Sequence, residues 1–269
     1  MSPEEEQLYA SGAYHLPSQA PREAQQLPAP VHLWKGHYDA RCEVITTARE
    51  MNASGINQGT SGNVSVRVDG GFLVTPSGVP YATMRPQDVV FVDLAEESGY
   101  YGEMLPSSEW RMHRDMYLKF PDALAVVHTH STFATALSAH RRPIPAFHYM
   151  VGVAGGKQIP CADYATFGSQ ELSDNICGVL CTNKVKACLL ANHGVLCYSS
   201  SLPKALHLAA EVEILAKQYN LSSAFGEPTL LNDAEMDVIL AKFKTYGKQP
   251  EDLAGMCCFD KEHAVANAS

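Results

Sequence analysis

Between residues 34 and 250 the apolar residues fall in short runs that switch repeatedly between a spacing of two and a spacing of three to four. That alternation is the mark of strands and helices taken in turn, and it restricts the chain to a mixed α/β architecture. The longest apolar runs, such as ALAVV at 123–127, are strand-sized rather than membrane-sized. With 46% apolar and 18% charged residues in 269, the chain can bury a large core.

Individual segments follow from their punctuation. DARCEVITTAREMNAS has helical spacing; SVRV and FLVT flank Asp69-Gly70-Gly71 as a hairpin; DVVFVDL reads as a strand. SSEWRMHRDMYLKF opens on serines suited to an N-cap and is stopped by Pro121, and ALAVVHTH is a buried strand feeding the helix STFATALSAH. SQELSDNICGVLC is a further helix, and ACLLANHGVLCYS is two short strands meeting at Asn192-His193-Gly194. PKALHLAAEVEILAKQYN, with Pro203 at the first helical position, is the longest helix, and DAEMDVILAKFKTYG is the last, stopped by Gly247. One domain is expected over 32–250. Residues 1–31, with Pro17, Pro21, Pro28 and Pro30 among Gln, Ala, Ser and Glu, read as a flexible extension, and 251–269 as a short tail.

Charge and cysteine usage narrow the function. Twenty basic against 29 acidic residues leave a net charge of -9, with no basic cluster longer than Arg141-Arg142, which argues against nucleic acid as a partner. The acidic start, MSPEEEQLYASG, lacks the apolar stretch of a secretory signal. Eight cysteines are too sparse for a disulfide scaffold, and Cys177 and Cys181 have no second pair nearby with which to hold zinc. The expectation is a cytoplasmic protein with reduced thiols and no membrane partner.

His128-Thr129-His130 carries the chemistry. On a strand, side chains two apart share a face, so both imidazoles can converge on one cation, although such a pair standing alone is more often a hydrogen-bonded core pair or chance. His193, between Asn192 and Gly194, is a turn histidine or a ligand projecting from a sheet edge. Glu109 is either an acid favoured by a helix start or a carboxylate aimed at a site. Three glycine- and serine-rich segments, Gly59-Thr60-Ser61-Gly62-Asn63, Thr75-Pro76-Ser77-Gly78 and Pro106-Ser107-Ser108, suit turns and suit an anion pocket equally.

NQGTSGNVSVR, LVTPSGVPY, LPSSEWRMH, VVHTH, IPAFHYM, AGGKQIPCADYATFG, NHG, KALHLAAEVEILAKQY and KFKTYG occur in that order over about 36–250. Together they resemble the class II aldolase/adducin-head superfamily, in its fuculose-phosphate aldolase branch. The resemblance implies a three-layer α/β/α fold around a mixed, mostly antiparallel sheet, assembled as a homotetramer with active sites between subunits. It implies one zinc per subunit on His128, His130 and His193, with Glu109 as resting ligand and acid/base. It places a sugar phosphate's phosphate on Gly62, Asn63, Ser77, Gly78, Ser107 and Ser108, gives Tyr149 the aldehyde oxygen, and lines the aldehyde side with Phe167 and Tyr246, the latter from a neighbouring subunit.

The implied reaction splits the C3–C4 bond of a ketose 1-phosphate, L-fuculose 1-phosphate foremost, into dihydroxyacetone phosphate and L-lactaldehyde. Sugar-phosphate 4-epimerases of the superfamily carry Asp where this chain has Glu109, and a further histidine where it has Phe133. Adducin-like interaction heads lose the metal ligands, and a methionine-salvage dehydratase fits the HYM and YATFG segments poorly. The tails beyond the matched region have no counterpart in the compact aldolases. His148 is expected to point away from the site if its segment is extended, and His113 and His207 read as ordinary helix residues.

Overall fold

The computed structural model describes residues 25–26, 36–95 and 99–246. Among these residues nine strands form one sheet: β1 (Gln25–Gln26), β2 (Asn63–Val68), β3 (Gly71–Val74), β4 (Val90–Asp93), β5 (Gly99–Tyr101), β6 (Ala125–Thr129), β7 (Cys161–Ala162), β8 (Ala187–Leu190) and β9 (Gly194–Ser199). Their order is β1-β5-β4-β3-β2-β6-β9-β8-β7, antiparallel except for the β1–β5 and β7–β8 pairs at the two edges. Among the described residues the α-helices are α1 (Tyr38–Ala53), α2 (Trp110–Lys119), α3 (Thr132–Ser138), α4 (Gln170–Asn183), α5 (Leu202–Ser223) and α6 (Asp233–Phe243). In the three-layer arrangement α1 and α3 pack on α5, which lies along β6 and β9, while α2 packs on α4.

The hairpins arise where the turn residues put them. Val68 pairs with Gly71 across Asp69-Gly70, and Leu190 pairs with Gly194 across the Ala191-Asn192-His193 turn. The central strands are dry: Val64, Phe72, Leu73, Val126, Val127, Leu189 and Leu196 are fully buried, so their alternating side chains join the layers into one core. Ser169 caps α4 by accepting the Leu172 N–H at 3.1 Å, and Asn232 and Glu235 form a reciprocal capping box on α6.

Four expectations need correction. The N-cap of α2 is Glu109 rather than a serine, and its carboxylate makes no cap bond because it is turned towards histidines. Pro203 is the second residue of α5, not the first. Helix α6 ends at Phe243, and Gly247 lies outside the described residues. Within the segment expected to lack regular structure, Gln25–Gln26 pair in parallel with Gly99–Tyr100, and Gln26 Nε2 donates to Gly102 O at 2.9 Å. An outer strand offers unpaired N–H and C=O groups, which backbone pairing satisfies whatever the side chains. The rest of 1–31 and all of the 251–269 tail lie outside the described residues.

Candidate metal centre

The centre is built at one end of β6. His128 is the last but one residue of that buried strand and His130 directly follows it, so the two rings emerge on one face with their Nε2 atoms 3.1 Å apart. The β8–β9 turn carries His193 to the same point, and the three ring centroids are mutually 4.9 Å apart. Glu109, at the start of α2, supplies the fourth group: Oε2 lies 3.2 Å from His128 Nε2 and Oε1 lies 3.2 Å from His193 Nε2. One ligand atom from each of the four residues falls within 4.8 Å of all the others.

Backbone closeness makes this convergence possible. Gly194 begins β9 beside Thr129, and a Cβ there would meet Thr129 O at 2.4 Å and His130 Cδ2 at 3.1 Å. On the other side, a Cβ on Gly62 would meet His128 O at 2.5 Å. Side chains at either place would wedge β6 away from its neighbours, which is a steric reason for glycine independent of any phosphate.

The donor set fits a metal ion. His128 Nδ1 lies 2.9 Å from Val195 O, and a carbonyl only accepts, so Nδ1 carries a proton and Nε2 is the ring nitrogen offered to the cluster. Burial, with the neighbouring His128 and His193, pushes His130 down to about 4, which keeps its imidazole neutral and able to ligate. Burial of Glu109 opposes its ionisation, but the neighbouring His128 and His193 outweigh burial and hold its carboxyl well below the usual carboxylate range. Its Oε1 is buried without a hydrogen-bond partner. Tetrahedral ligands about 2.0–2.1 Å from zinc are roughly 3.3 Å from one another, close to the 3.1 and 3.2 Å separations found here. Three imidazoles and one carboxylate are a zinc-type donor set.

Beside the cluster, two loops are zipped together. Ser77 N–H donates to Leu105 O and Ser107 N–H to Thr75 O, each at 3.0 Å, around a Pro76–Pro106 bridge. Those two amides are therefore spent, but the serine hydroxyls remain for an anion: Ser77 and Ser108 are exposed, and Ser107 Oγ accepts the Glu109 N–H at 3.3 Å while keeping its own proton to donate. Gly78 is exposed in a left-handed conformation at the loop tip.

Asn63 differs from its expected use. It stands opposite His128 across β2–β6, and its carboxamide is engaged with Glu109, Nδ2 donating to Oε2 at 2.9 Å. His113 is not an ordinary helix residue: it is fully buried, with Nε2 2.5 Å from Asn63 Oδ1 and Nδ1 2.6 Å from Ser65 Oγ. The signal was present in the sequence, because Glu109, His113 and Tyr117 are spaced by four and share one face of a helix.

The residues expected on the aldehyde side lie at the surface of the subunit. Tyr149 opens a 3-10 helix (Tyr149–Ala154) against which α6 packs, and Tyr246 follows α6 with its ring 5.3 Å from Phe243. Tyr149 is 46% exposed, Phe167 66% and Tyr246 65%, so none is packed into the subunit core. Gly168, beside Phe167, does lie against Ser108 O, next to the start of α2. His148 itself is extended, but a 3-10 helix begins at Tyr149, so the alternation of faces does not carry across the pair; the ring caps that helix, Nδ1 accepting the Met150 N–H at 3.2 Å.

Residues 42–220 match the family model described as Class II Aldolase and Adducin N-terminal domain. The chain is 49% identical over 212 residues to the L-fuculose phosphate aldolase of Escherichia coli O6:H1, covering 78% of this chain and 96% of that protein. It is 48% identical over 204 residues to the 5-methylthioribulose-1-phosphate/5-deoxyribulose-1-phosphate aldolase of Rhodospirillum rubrum, covering 76% and 90%. A solved L-fuculose 1-phosphate aldolase superposes with a TM-score of 0.74 at 38% identity, covering 79% of this chain and all of that one.

Proposed function

The chain belongs to the class II aldolase and adducin N-terminal domain family, and from that premise we propose that it is a zinc-dependent aldehyde-lyase cleaving L-fuculose 1-phosphate to dihydroxyacetone phosphate and L-lactaldehyde. The observation that carries this reading is the convergence of Glu109, His128, His130 and His193 beside two paired loops that present serine hydroxyls. No helix among the described residues is long and apolar enough to cross a membrane, and we read the site of action as cytoplasmic.

Breaking C3–C4 leaves electron density at C3 and requires the C4 hydroxyl to give up its proton. Zinc, when bound on the three histidines, supplies Lewis acidity towards the substrate oxygens, a contribution commonly worth several kcal/mol. Glu109 handles the proton at C3: ionised between His128 and His193, it accepts that proton in the condensation direction, and once protonated it returns it to C3 in cleavage. Ser77, Ser107 and Ser108, with Gly62 and Gly78, hold the phosphate and so fix the ketose end against the centre. Tyr149 takes the C4 hydroxyl proton, while Phe167 and Tyr246 shape the aldehyde side. The exposure of these three aromatics on the single subunit supports a homotetramer in which a neighbouring copy completes the site.

A second reading keeps the chemistry and changes the aldehyde: the 48% identity to an aldolase of 5-methylthioribulose 1-phosphate and 5-deoxyribulose 1-phosphate favours it. All three reactions share the dihydroxyacetone phosphate half. The deciding experiment measures zinc content and compares cleavage of L-fuculose 1-phosphate, L-rhamnulose 1-phosphate, 5-methylthioribulose 1-phosphate and L-ribulose 5-phosphate side by side. The highest kcat/KM on L-fuculose 1-phosphate is expected. Interconversion of L-ribulose 5-phosphate without cleavage of any of the others would replace the lyase by an epimerase.

A further inference from the structure

Behind the centre runs a buried polar chain. Glu109 Oε2 meets Asn63 Nδ2 at 2.9 Å, Asn63 Oδ1 meets His113 Nε2 at 2.5 Å, His113 Nδ1 meets Ser65 Oγ at 2.6 Å, and Ser65 Oγ meets Tyr117 OH at 2.6 Å. Asn63 and Ser65 are two apart on β2, and Glu109, His113 and Tyr117 are four apart at the start of and along α2, so a strand face and a helix face interlock through these five side chains. Asn63, Ser65, Glu109, His113 and Tyr117 all have relative exposures of 6% or less, so solvent does not share the bonds.

The direction of every bond follows from the first. A carboxylate only accepts, so Asn63 must present its NH2 to Glu109 and its carbonyl oxygen to His113. That oxygen only accepts, so His113 carries its proton on Nε2, and its bare Nδ1 must accept from Ser65. Ser65, having donated, accepts from Tyr117. Burial, together with the neighbouring His128, pushes His113 down to about 3 despite the opposing charge of Glu109, so the ring is neutral and has one proton to place.

On the reading of the protein as a lyase, we propose that His113 is a positioning residue: its Nε2–H locks the Asn63 carboxamide in the orientation that clamps Glu109 Oε2, leaving Oε1 as the oxygen that handles the substrate proton. Without the imidazole donor, the amide is free to turn its oxygen towards Glu109, where oxygen would face oxygen. His113 itself touches neither the metal ligands nor the phosphate-side serines. Its effect is on the turnover step rather than on binding of metal or sugar phosphate.

Two measurements test this. In the isotopically labelled, zinc-loaded full chain, long-range proton–nitrogen correlation should show His113 as the Nε2–H tautomer; the Nδ1–H tautomer would overturn the chain's direction and the proposal with it. In kinetics, His113→Leu should lower kcat at least tenfold with KM and zinc content within twofold of wild type. His113→Gln, whose amide nitrogen can reach the place of Nε2, should recover most of the loss. Wild-type kcat in the leucine variant, or equal loss in both variants, would overturn the proposal. If wild type cleaves no sugar phosphate, the lyase reading fails and with it the role given to Oε1, whereas the tautomer still decides the clamp on Oε2. Should the leucine variant not fold, Ser65→Ala, which removes the donor to Nδ1, should still lower kcat more than KM, and an unchanged kcat would count against the chain.

Discussion

Glu213, on α5, reaches the first turn of α3 and accepts the Phe133 N–H at 2.8 Å, with the Ala134 N–H on its other oxygen at the same distance. Helix α3 follows His130 almost directly, and its own N-cap, Ser131, makes no side-chain cap bond. A carboxylate from a distant helix thus satisfies the free amides of the helix that anchors one ligand.

Glu213→Ala should therefore cost about 1–3 kcal/mol of stability, the range for leaving buried donors unpaired after losing a charged acceptor. Chemical denaturation monitored by circular dichroism reads this directly. A midpoint equal to wild type would show that water replaces the carboxylate without loss.

Removal of any one imidazole should empty the centre. His128→Ala, His130→Ala and His193→Ala are each expected to purify with well under one zinc per subunit and with no detectable cleavage, because each removes a third of the nitrogen ligation. Retained activity in any of the three, or in chelator-treated wild type, would remove zinc from the mechanism.

Glu109→Gln separates charge from shape. The amide keeps the volume and one acceptor for Asn63 Nδ2, so fold and much of the zinc should persist. Exchange of the C3 proton of dihydroxyacetone phosphate with solvent should fall by roughly 10²–10⁴, the usual contribution of a positioned general base. Wild-type exchange in this variant would assign the proton to another group.

Ser108→Ala is the cleanest probe of the phosphate end, since the Ser107 hydroxyl also receives the Glu109 N–H and its loss would disturb the carboxylate. Removing one hydroxyl donor to a dianion should cost about 1.5–3 kcal/mol. The ratio of kcat/KM for phosphorylated over phosphate-free L-fuculose should accordingly drop more than tenfold, at about 1.4 kcal/mol per decade. An unchanged ratio would place the phosphate elsewhere.

Much of this was legible in the sequence because local signals and tertiary structure agree. The Asp69-Gly70 and Asn192-His193 turns, the buried strand AVVHT at 125–129 and the spacing of two between His128 and His130 each dictate their geometry with little help from afar. Where the reading failed, a distant partner overrode the local signal. Serine before α2 promised a cap, but Glu109 occupies that place with its carboxylate committed to histidines from β6 and the β8–β9 turn. His113 looked ordinary because its partners, Asn63 and Ser65, lie about fifty residues away in sequence. Glu213 gave no sign at all, since an acid in the middle of an amphipathic helix is usually solvated.

Gly62 and Gly194 hold β6 between them at backbone contact, and this ties their fate to that of the metal. A descendant that keeps the centre has no freedom at these two places. One that has abandoned the reaction, and survives as a binding module, is released from the constraint and can accumulate side chains there even while its histidines linger. Residues other than glycine at both positions are therefore a mark of lost catalysis among relatives, one that the ligands alone would not reveal.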